Sequence, residues 1–450
     1  MPRVSMYPKS LRPRLIESIP RIRTRRKVWV EAYGCSASIA DSEMINGLLQ
    51  SGGYELAKSE EDSALNVIVT CSVKDKTEHR MTHRIGELKS TGKPLVIAGC
   101  LPKADTALVE ELAPAASLMG PHSIDKAAEV VSASFAGMKS VALQDSIRDK
   151  VNLPRVRLNP SVGIVEIASG CLSKCSFCQT KLAKGELRSY RPADIRSQIT
   201  NDVSEGCREI WLTSTDNGCY GTDIGCDLAD LLAECSEVQG DFRIRVGMMN
   251  PMYVPPMADK LVRAFSHERI FKFLHIPVQS GSNSVLKEMR RGHKSETFSA
   301  VVSAFRRLIP ELTIATDVIV GFPTETEHDF EMTLELLKDS QPDIVNISRY
   351  SSRPGTFAST MPQLDSQVVK SRTERAHAVA REISLARNSL WLGWQGEIII
   401  DEIHDSGVQG RNYAYKPVLV DMPSEPISLG DKLQVKITGI STYALKSEII

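Results

Sequence analysis

The stretch Ser169-Gly170-Cys171-Leu172-Ser173-Lys174-Cys175-Ser176-Phe177-Cys178 constrains this chain more than any other. Its cysteines stand four and three positions apart on one tight loop. Three thiolates so spaced can bind three irons of a four-iron cluster and leave the fourth iron open for chemistry. The apolar run from Val162 to Ala168 reads as a buried strand that delivers the loop, and Phe177 would shield the metal from water. Zinc is the rival occupant, but a structural zinc takes a fourth ligand, and no histidine lies between Gly170 and Asn250. Unrelated core thiols are the plainer alternative.

A chain of 450 residues is too long for one ordinary core, so several domains are expected. With 42% hydrophobic and 24% charged residues, no apolar run long enough for a bilayer and no signal-peptide pattern, a cytoplasmic location is the default. Ten cysteines in such a compartment argue for metal or catalysis rather than disulfides. Cys207, Cys219, Cys226 and Cys235 read as ordinary thiols. Lysine plus arginine equal aspartate plus glutamate at 55 each, so bulk charge does not mark a nucleic-acid binder. The distribution is uneven: Arg3, Lys9, Arg12, Arg14, Arg21, Arg23, Arg25, Arg26 and Lys27 face Glu17 alone. Such an arm either neutralises phosphates or is a solvated tail.

Three segments after the arm are built alike. Strand-like runs from Lys27 to Tyr33, Leu65 to Thr70 and Pro94 to Gly99 are followed closely by Cys35, Cys71 and Cys100, with helical patterns between them. Alternating strands and helices make a parallel sheet whose strand ends gather on one edge, so the three cysteines should converge. A second three-thiolate cluster suits that geometry. Separately buried cysteines, or zinc with His79, His83 or His122 as fourth ligand, stay open.

Residues 138–160 read as a linker. Beyond them, six strand-like runs with intervening helices begin at Val162, Glu209, Phe242, Lys272, Thr313 and Asp343, a pattern that builds a barrel or part of one with its chemistry at the carboxyl ends of the strands. The cysteine loop follows the first of these strands. Polar turns at the other ends carry Asp216, Gln279, Ser280 and Glu325, candidate ligand contacts, with Asp216 suited to an ammonium group. A helical stretch from Asp365 to Leu390 leads to short alternating runs that fit a small β-barrel, with Arg411, Asn412, Tyr413 and Lys416 as candidate RNA contacts.

The spacing of Cys171, Cys175 and Cys178 resembles the cluster loop of the radical S-adenosylmethionine (SAM) enzymes. Over nearly the whole chain the sequence resembles their methylthiotransferase family. The matching segments are Tyr33-Gly34-Cys35, Thr70-Cys71-Ser72, Ala98-Gly99-Cys100, the cysteine loop, His275 to Gly281 and Arg353 to Thr356. The runs Trp211 to Ser214 and Arg245 to Pro251 look like the archaeal and eukaryotic subgroup that acts on N6-threonylcarbamoyladenosine beside the tRNA anticodon. Cys219 departs from the pattern, standing where a small residue is common.

The resemblance implies an α/β protein with three domains, a parallel-sheet methylthiotransferase domain 28–137, a partial (β/α)6 radical SAM barrel 161–388 and a TRAM β-barrel 389–450, to which the residues add the basic arm 1–27 and the linker 138–160. It also implies SAM on the open iron held by Cys171, Cys175 and Cys178, and a second [4Fe-4S] cluster on Cys35, Cys71 and Cys100 that handles the sulfur. The partners it implies are the anticodon stem-loop of tRNA and a low-potential electron donor, with no membrane. Arg349 and Arg353 are candidates for the substrate's carboxylate. An aromatic C–H has no leaving group, so the reaction calls for a radical rather than acid–base chemistry. A sister enzyme acting on another modified adenosine or a protein side chain, and a metal-bearing RNA-binding scaffold, are the alternatives.

Overall fold

Strands that are apolar along their whole length need cover on both faces, and Leu65–Thr70 and Leu95–Gly99 are buried at every residue. In the computed structural model, which describes residues 26–73, 75–145 and 149–450, they lie central in a six-stranded sheet. Its order is Glu55–Leu56, Lys27–Ala32, Leu65–Thr70, Leu95–Gly99, Ser117–Met119, Val141–Ala142, all parallel. One face packs on Met44, Ile45 and Leu49 of the helix Ser36–Ser51 and on Val130 and Val131. The other packs Ile68, Ile97 and Leu118 on Ile85, Leu88 and Val109. The basic arm falls in residues 1–25, outside the described residues, apart from Arg26 and Lys27.

The stretch 138–160, expected to be a linker, is bound down instead. Val141–Ala142 supplies the sixth strand, the Lys150 side chain is buried, and Val156 and Leu158 donate to the Glu43 carbonyl and carboxylate at 2.9 and 3.0 Å. Its proline and polar residues read as loop, but their backbone groups find partners on the helix Ser36–Ser51, a tertiary effect that composition does not carry.

Six parallel strands form the partial barrel. Val162–Glu166, Glu209–Thr213 and Arg243–Val246 make one half, and Phe273–His275, Thr313–Val320 and Ile344–Arg349 the other, joined by a parallel bridge from Ile244 to Ile270. The two halves share one apolar core, from Val165 and Leu212 to Phe330 and Leu337. The inner faces of the first two strands are covered by the preceding lobe: Val162, Ile164 and Trp211 pack with Met44 and Leu48 of the helix Ser36–Ser51.

The helix Ser366–Ser389 leads to a closed five-stranded barrel ordered Gln395–His404, Gly407–Arg411, Pro417–Asp421, Leu445–Ile449, Lys432–Ile440. It docks through Tyr415, whose ring lies 4.8 Å from Phe271 and 5.1 Å from Phe273. The Arg245 guanidinium sits over the rings of Trp211, Phe273 and Tyr415 at 5.3–5.4 Å. This docking corrects the expected RNA contacts. Lys416 is buried, 2.9 Å from Asp343 and 2.8 Å from Asn388; Arg411 is held 2.6 Å from Asp401; Asn412 caps its own turn; Tyr413 packs against Trp391 and Trp394. Lys416 joins the small barrel to the radical SAM lobe, while Arg411, Asn412 and Tyr413 are engaged within the small barrel and its entry. No helix among the described residues is long and apolar enough to cross a membrane.

Candidate metal centres and active site

Cys35, Cys71 and Cys100 follow three adjacent strands of the first sheet and meet at its edge. Cys35 caps the helix Ser36–Ser51, and its sulfur lies 3.6 Å from Ser38 Oγ. Gly34 turns the chain with φ at +108°, and a Cβ there would sit 2.1 Å from the Cys71 Cβ. Its glycine is what lets the two cysteines approach. A hydrogen bond from Cys71 pulls the Cys35 thiol down to about 5, while the same bond and burial push Cys71 up. Burial lifts Cys100 to about 12, opposed chiefly by the charge of Lys184.

The second triad hangs from the first barrel strand. Gly170, with φ at +74°, packs so tightly that a Cβ would lie 1.9 Å from the Glu186 carbonyl oxygen. Ser173 donates its N–H to the Cys171 sulfur at 3.2 Å, and its hydroxyl meets Tyr253 Oη at 3.1 Å and Asn250 Nδ2 at 3.3 Å. Arg291, buried, donates from Nη1 to the Cys175 sulfur at 3.3 Å and from Nη2 to the Pro277 carbonyl at 3.0 Å. Ser176 is pinned by its N–H to the Met289 carbonyl at 3.0 Å, and Phe177 packs beside Met289 and Phe322. A hydrogen bond from Cys219 lowers the Cys171 thiol to about 6, and burial raises Cys178 to about 11.

Both donor sets fit iron and sulfide. Three sulfurs on a single tetrahedral zinc sit about 3.8 Å apart. Among the described residues, the one set of three ligating atoms within 4.8 Å of one another is Cys171, Asp216 and Cys219, and neither cysteine triad closes that far. Three thiolates without a fourth protein ligand suit a four-iron cluster with one open iron. His122, a candidate fourth zinc ligand, turns its Nε2 to the Lys184 carbonyl at 3.0 Å. Cys171, Cys175 and Cys178 would hold such a cluster, which would supply the electron for cleaving SAM.

The remaining candidates divide. Asp216 accepts from the N–H groups of Gly218 and Asn250 at 3.0 Å each, lies 3.9 Å from the Cys171 sulfur, and is raised to about 7 by burial. Gln279 keeps φ at +73° because its backbone pairs with Asp317 and Ile319 at 2.8 and 3.0 Å, and its buried Oε1 has no hydrogen-bond partner, as expected of a group kept for a ligand. Ser280 is engaged by Thr333 at 3.3 Å and by the Ser282 N–H at 3.2 Å. Glu325 accepts from the Gly321 N–H at 2.7 Å and from Arg372 at 3.1 Å. Those two brace the turns that carry them. Arg349 is exposed at a strand end, whereas Arg353 is buried in an ion pair with Glu78 of the first lobe.

Three groups escaped the sequence reading. Arg291 and Tyr253 reach the cysteine loop from segments more than seventy positions away, and Cys219, read as an ordinary thiol, is buried beside Cys171. The tandem Arg290-Arg291-Gly292 was the one local hint, since Gly292 takes φ +72° and turns the chain there.

A family model described as the Radical SAM superfamily matches residues 165–337, and one described as Uncharacterized protein family UPF0004 matches residues 27–120. The "probable threonylcarbamoyladenosine tRNA methylthiotransferase" of Pyrococcus horikoshii is 42% identical over 431 residues, covering 94% of this chain and 99% of that one. The chain belongs to the threonylcarbamoyladenosine tRNA methylthiotransferase family. The threonylcarbamoyladenosine tRNA methylthiotransferase of Drosophila pseudoobscura pseudoobscura is 37% identical, covering 98% of this chain and 80% of that one. Among solved structures, the radical SAM methyltransferase TsrM from Kitasatospora setae superposes with a TM-score of 0.56 at 14% identity, over 75% of each chain. At that identity the likeness concerns the fold. The methylthiotransferase resemblance of the motifs and the radical SAM fold thus hold together in one chain.

Proposed function

We propose that this protein replaces a hydrogen of the adenine ring in N6-threonylcarbamoyladenosine, at tRNA position 37, with a methylthio group by radical SAM chemistry. The observation that carries the reading is a pair of cysteine triads on adjoining lobes, with the helix Thr180–Lys184 that follows Cys178 packed against the helix Leu101–Ala104 that follows Cys100. The triad of Cys171, Cys175 and Cys178 holds the cluster that binds SAM. Cys35, Cys71 and Cys100 hold a second [4Fe-4S] cluster that carries the transferred sulfur. Gln279, with its orphaned amide oxygen, and Asp216, beside Cys171, face SAM, while Ser280 and Glu325 fix the turns around it.

The substrate enters as the anticodon stem-loop, and a low-potential donor in the cytoplasm supplies electrons. Family membership supports the tRNA substrate. The proposed domains are those expected at 28–137, 161–388 and 389–450, with the first extended to take in Lys27 and the strand Val141–Ala142.

The test is nucleoside analysis by mass spectrometry after anaerobic incubation of iron-loaded protein with SAM, dithionite and tRNA from a strain lacking the gene. The expected product is the 2-methylthio derivative of threonylcarbamoyladenosine. A methylthio group on a different nucleoside, or on protein, would replace this substrate with another of the same chemistry. SAM cleavage without any methylthio product would remove the transferase reading.

A further inference from the structure

Two cations and two anions are buried together where the lobes meet. Lys150 Nζ lies 2.7 Å from Asp41 and 3.1 Å from Glu166, and Lys184 Nζ lies 2.9 Å from the other Glu166 oxygen. All four side chains are at most 5% exposed. Asp41 belongs to the first lobe, Lys150 to the strap between lobes, and Glu166 and Lys184 to the barrel. Sequestering four charges costs several kcal/mol per ion before their attraction offsets it, and apolar packing would hold an interface as well. The arrangement therefore asks for a use beyond adhesion.

Lys184 shows where that use lies. It ends the short helix Thr180–Lys184, which begins two residues after Cys178, and this helix packs against Leu101–Ala104, which begins one residue after Cys100. Its carbonyl meets His122 of the first lobe at 3.0 Å. A buried cation of the SAM-side segment thus lies in the helix that packs on the turn leaving Cys100. A four-iron core with three thiolates is net negative and becomes more so on reduction, so a buried cation nearby favours the reduced form.

We propose that Lys184 is a positioning residue for the cluster on Cys35, Cys71 and Cys100, and that its ammonium raises that cluster's reduction potential when the two lobes are docked. This rests on the three-thiolate reading of that triad. Asp41, the quartet's anion in the helix that Cys35 caps, carries the opposite charge and should act in the opposite direction.

The test uses the full chain carrying Cys171→Ala, Cys175→Ala and Cys178→Ala, so that iron can occupy the first triad alone. Spectroscopic redox titration then compares this parent with Lys184→Met, Lys184→Arg and Asp41→Asn added. In Lys184→Met the reduced-to-oxidised ratio at a fixed potential should fall about tenfold, equivalent to about 59 mV for one electron. Asp41→Asn should move it the opposite way, and Lys184→Arg should stay within about twofold of the parent. A merely structural role would shift the lysine and aspartate variants together. Ratios that stay with the parent, or that shift in one common direction, overturn the proposal. A parent that binds no iron overturns the three-thiolate reading and this inference with it. Should Lys184→Met fail to fold, Asp41→Asn decides: a higher potential supports the proposal, an unchanged one overturns it.

Discussion

The hydroxyls of Ser36 and Thr213, 177 positions apart in sequence, lie 2.7 Å from each other. Ser36 follows Cys35, a proposed ligand of the first lobe, and Thr213 ends the second barrel strand. One hydrogen bond thereby sets the height of Cys35 above the mouth of the barrel. Thr213→Val should cost about 1 kcal/mol of stability. It should lower methylthio product per SAM cleaved, because the first triad loses its registry while the second keeps its own contacts. The ratio of product to 5′-deoxyadenosine in one assay reads this.

The two turn glycines should separate the two metal centres. Gly34→Ala places a Cβ 2.1 Å from the Cys71 Cβ at φ +108°, so Cys35 and Cys71 must part. Iron should fall from about eight to about four per chain, with SAM cleavage retained. Gly170→Ala, whose Cβ would strike the Glu186 carbonyl oxygen at 1.9 Å, should instead abolish SAM cleavage and spare iron on the first triad.

The cysteines themselves give the same division by chemistry rather than by shape. Cys175→Ala should remove SAM cleavage, whereas Cys71→Ala should leave it and block sulfur insertion. Methylthiolated tRNA from the Cys71 variant would contradict that assignment.

Arg353 and Glu78 pair across the lobes with side chains 8% and 19% exposed. Arg353→Ala leaves a half-buried carboxylate without its partner and should cost about 3 kcal/mol. Glu78→Gln, which keeps a hydrogen-bonding group, should cost less. Thermal unfolding of the two variants ranks them; equal losses would show that the guanidinium acts by packing rather than by charge.

His122 supplies a pH dependence. Burial, helped by the charge of Lys150, lowers it from 6.5 to about 4. Because the folded value lies below the unfolded one, the neutral ring stabilises the fold fully above about pH 6.5, and that contribution is lost as pH falls towards 4. Between pH 7 and pH 5 the loss is about 2 kcal/mol, and His122→Gln should flatten that part of the profile. Denaturant unfolding at a series of pH values checks it.

Much of this architecture was legible from residue pattern. The strands Glu209–Thr213 and Thr313–Val320 coincide with apolar runs, and all six proposed ligand cysteines stand beside such runs. Boundaries failed where local chemistry was neutral. The first helix begins at Ser36 rather than near Asp41, because Cys35 caps it without a side-chain hydrogen bond. Gly407–Arg411 is a strand although two of its five residues are glycine; pairing to Pro417–Asp421 and Gln395–His404 outweighs its low β-propensity. The burial of Lys150 in the expected linker and of Lys416 in the small barrel went unforeseen for one reason. A lone lysine carries no sign of the aspartate or glutamate that the fold will bring to it.

Val162, Ile164 and Trp211 belong to the barrel by sequence position and to the first lobe's core by contact. A barrel expressed from Ser161 onward would bare these three side chains to water, so it should aggregate rather than serve as a minimal SAM enzyme. The two catalytic halves are therefore inherited as one cooperative body, and neither can be exchanged between chains without its counterpart.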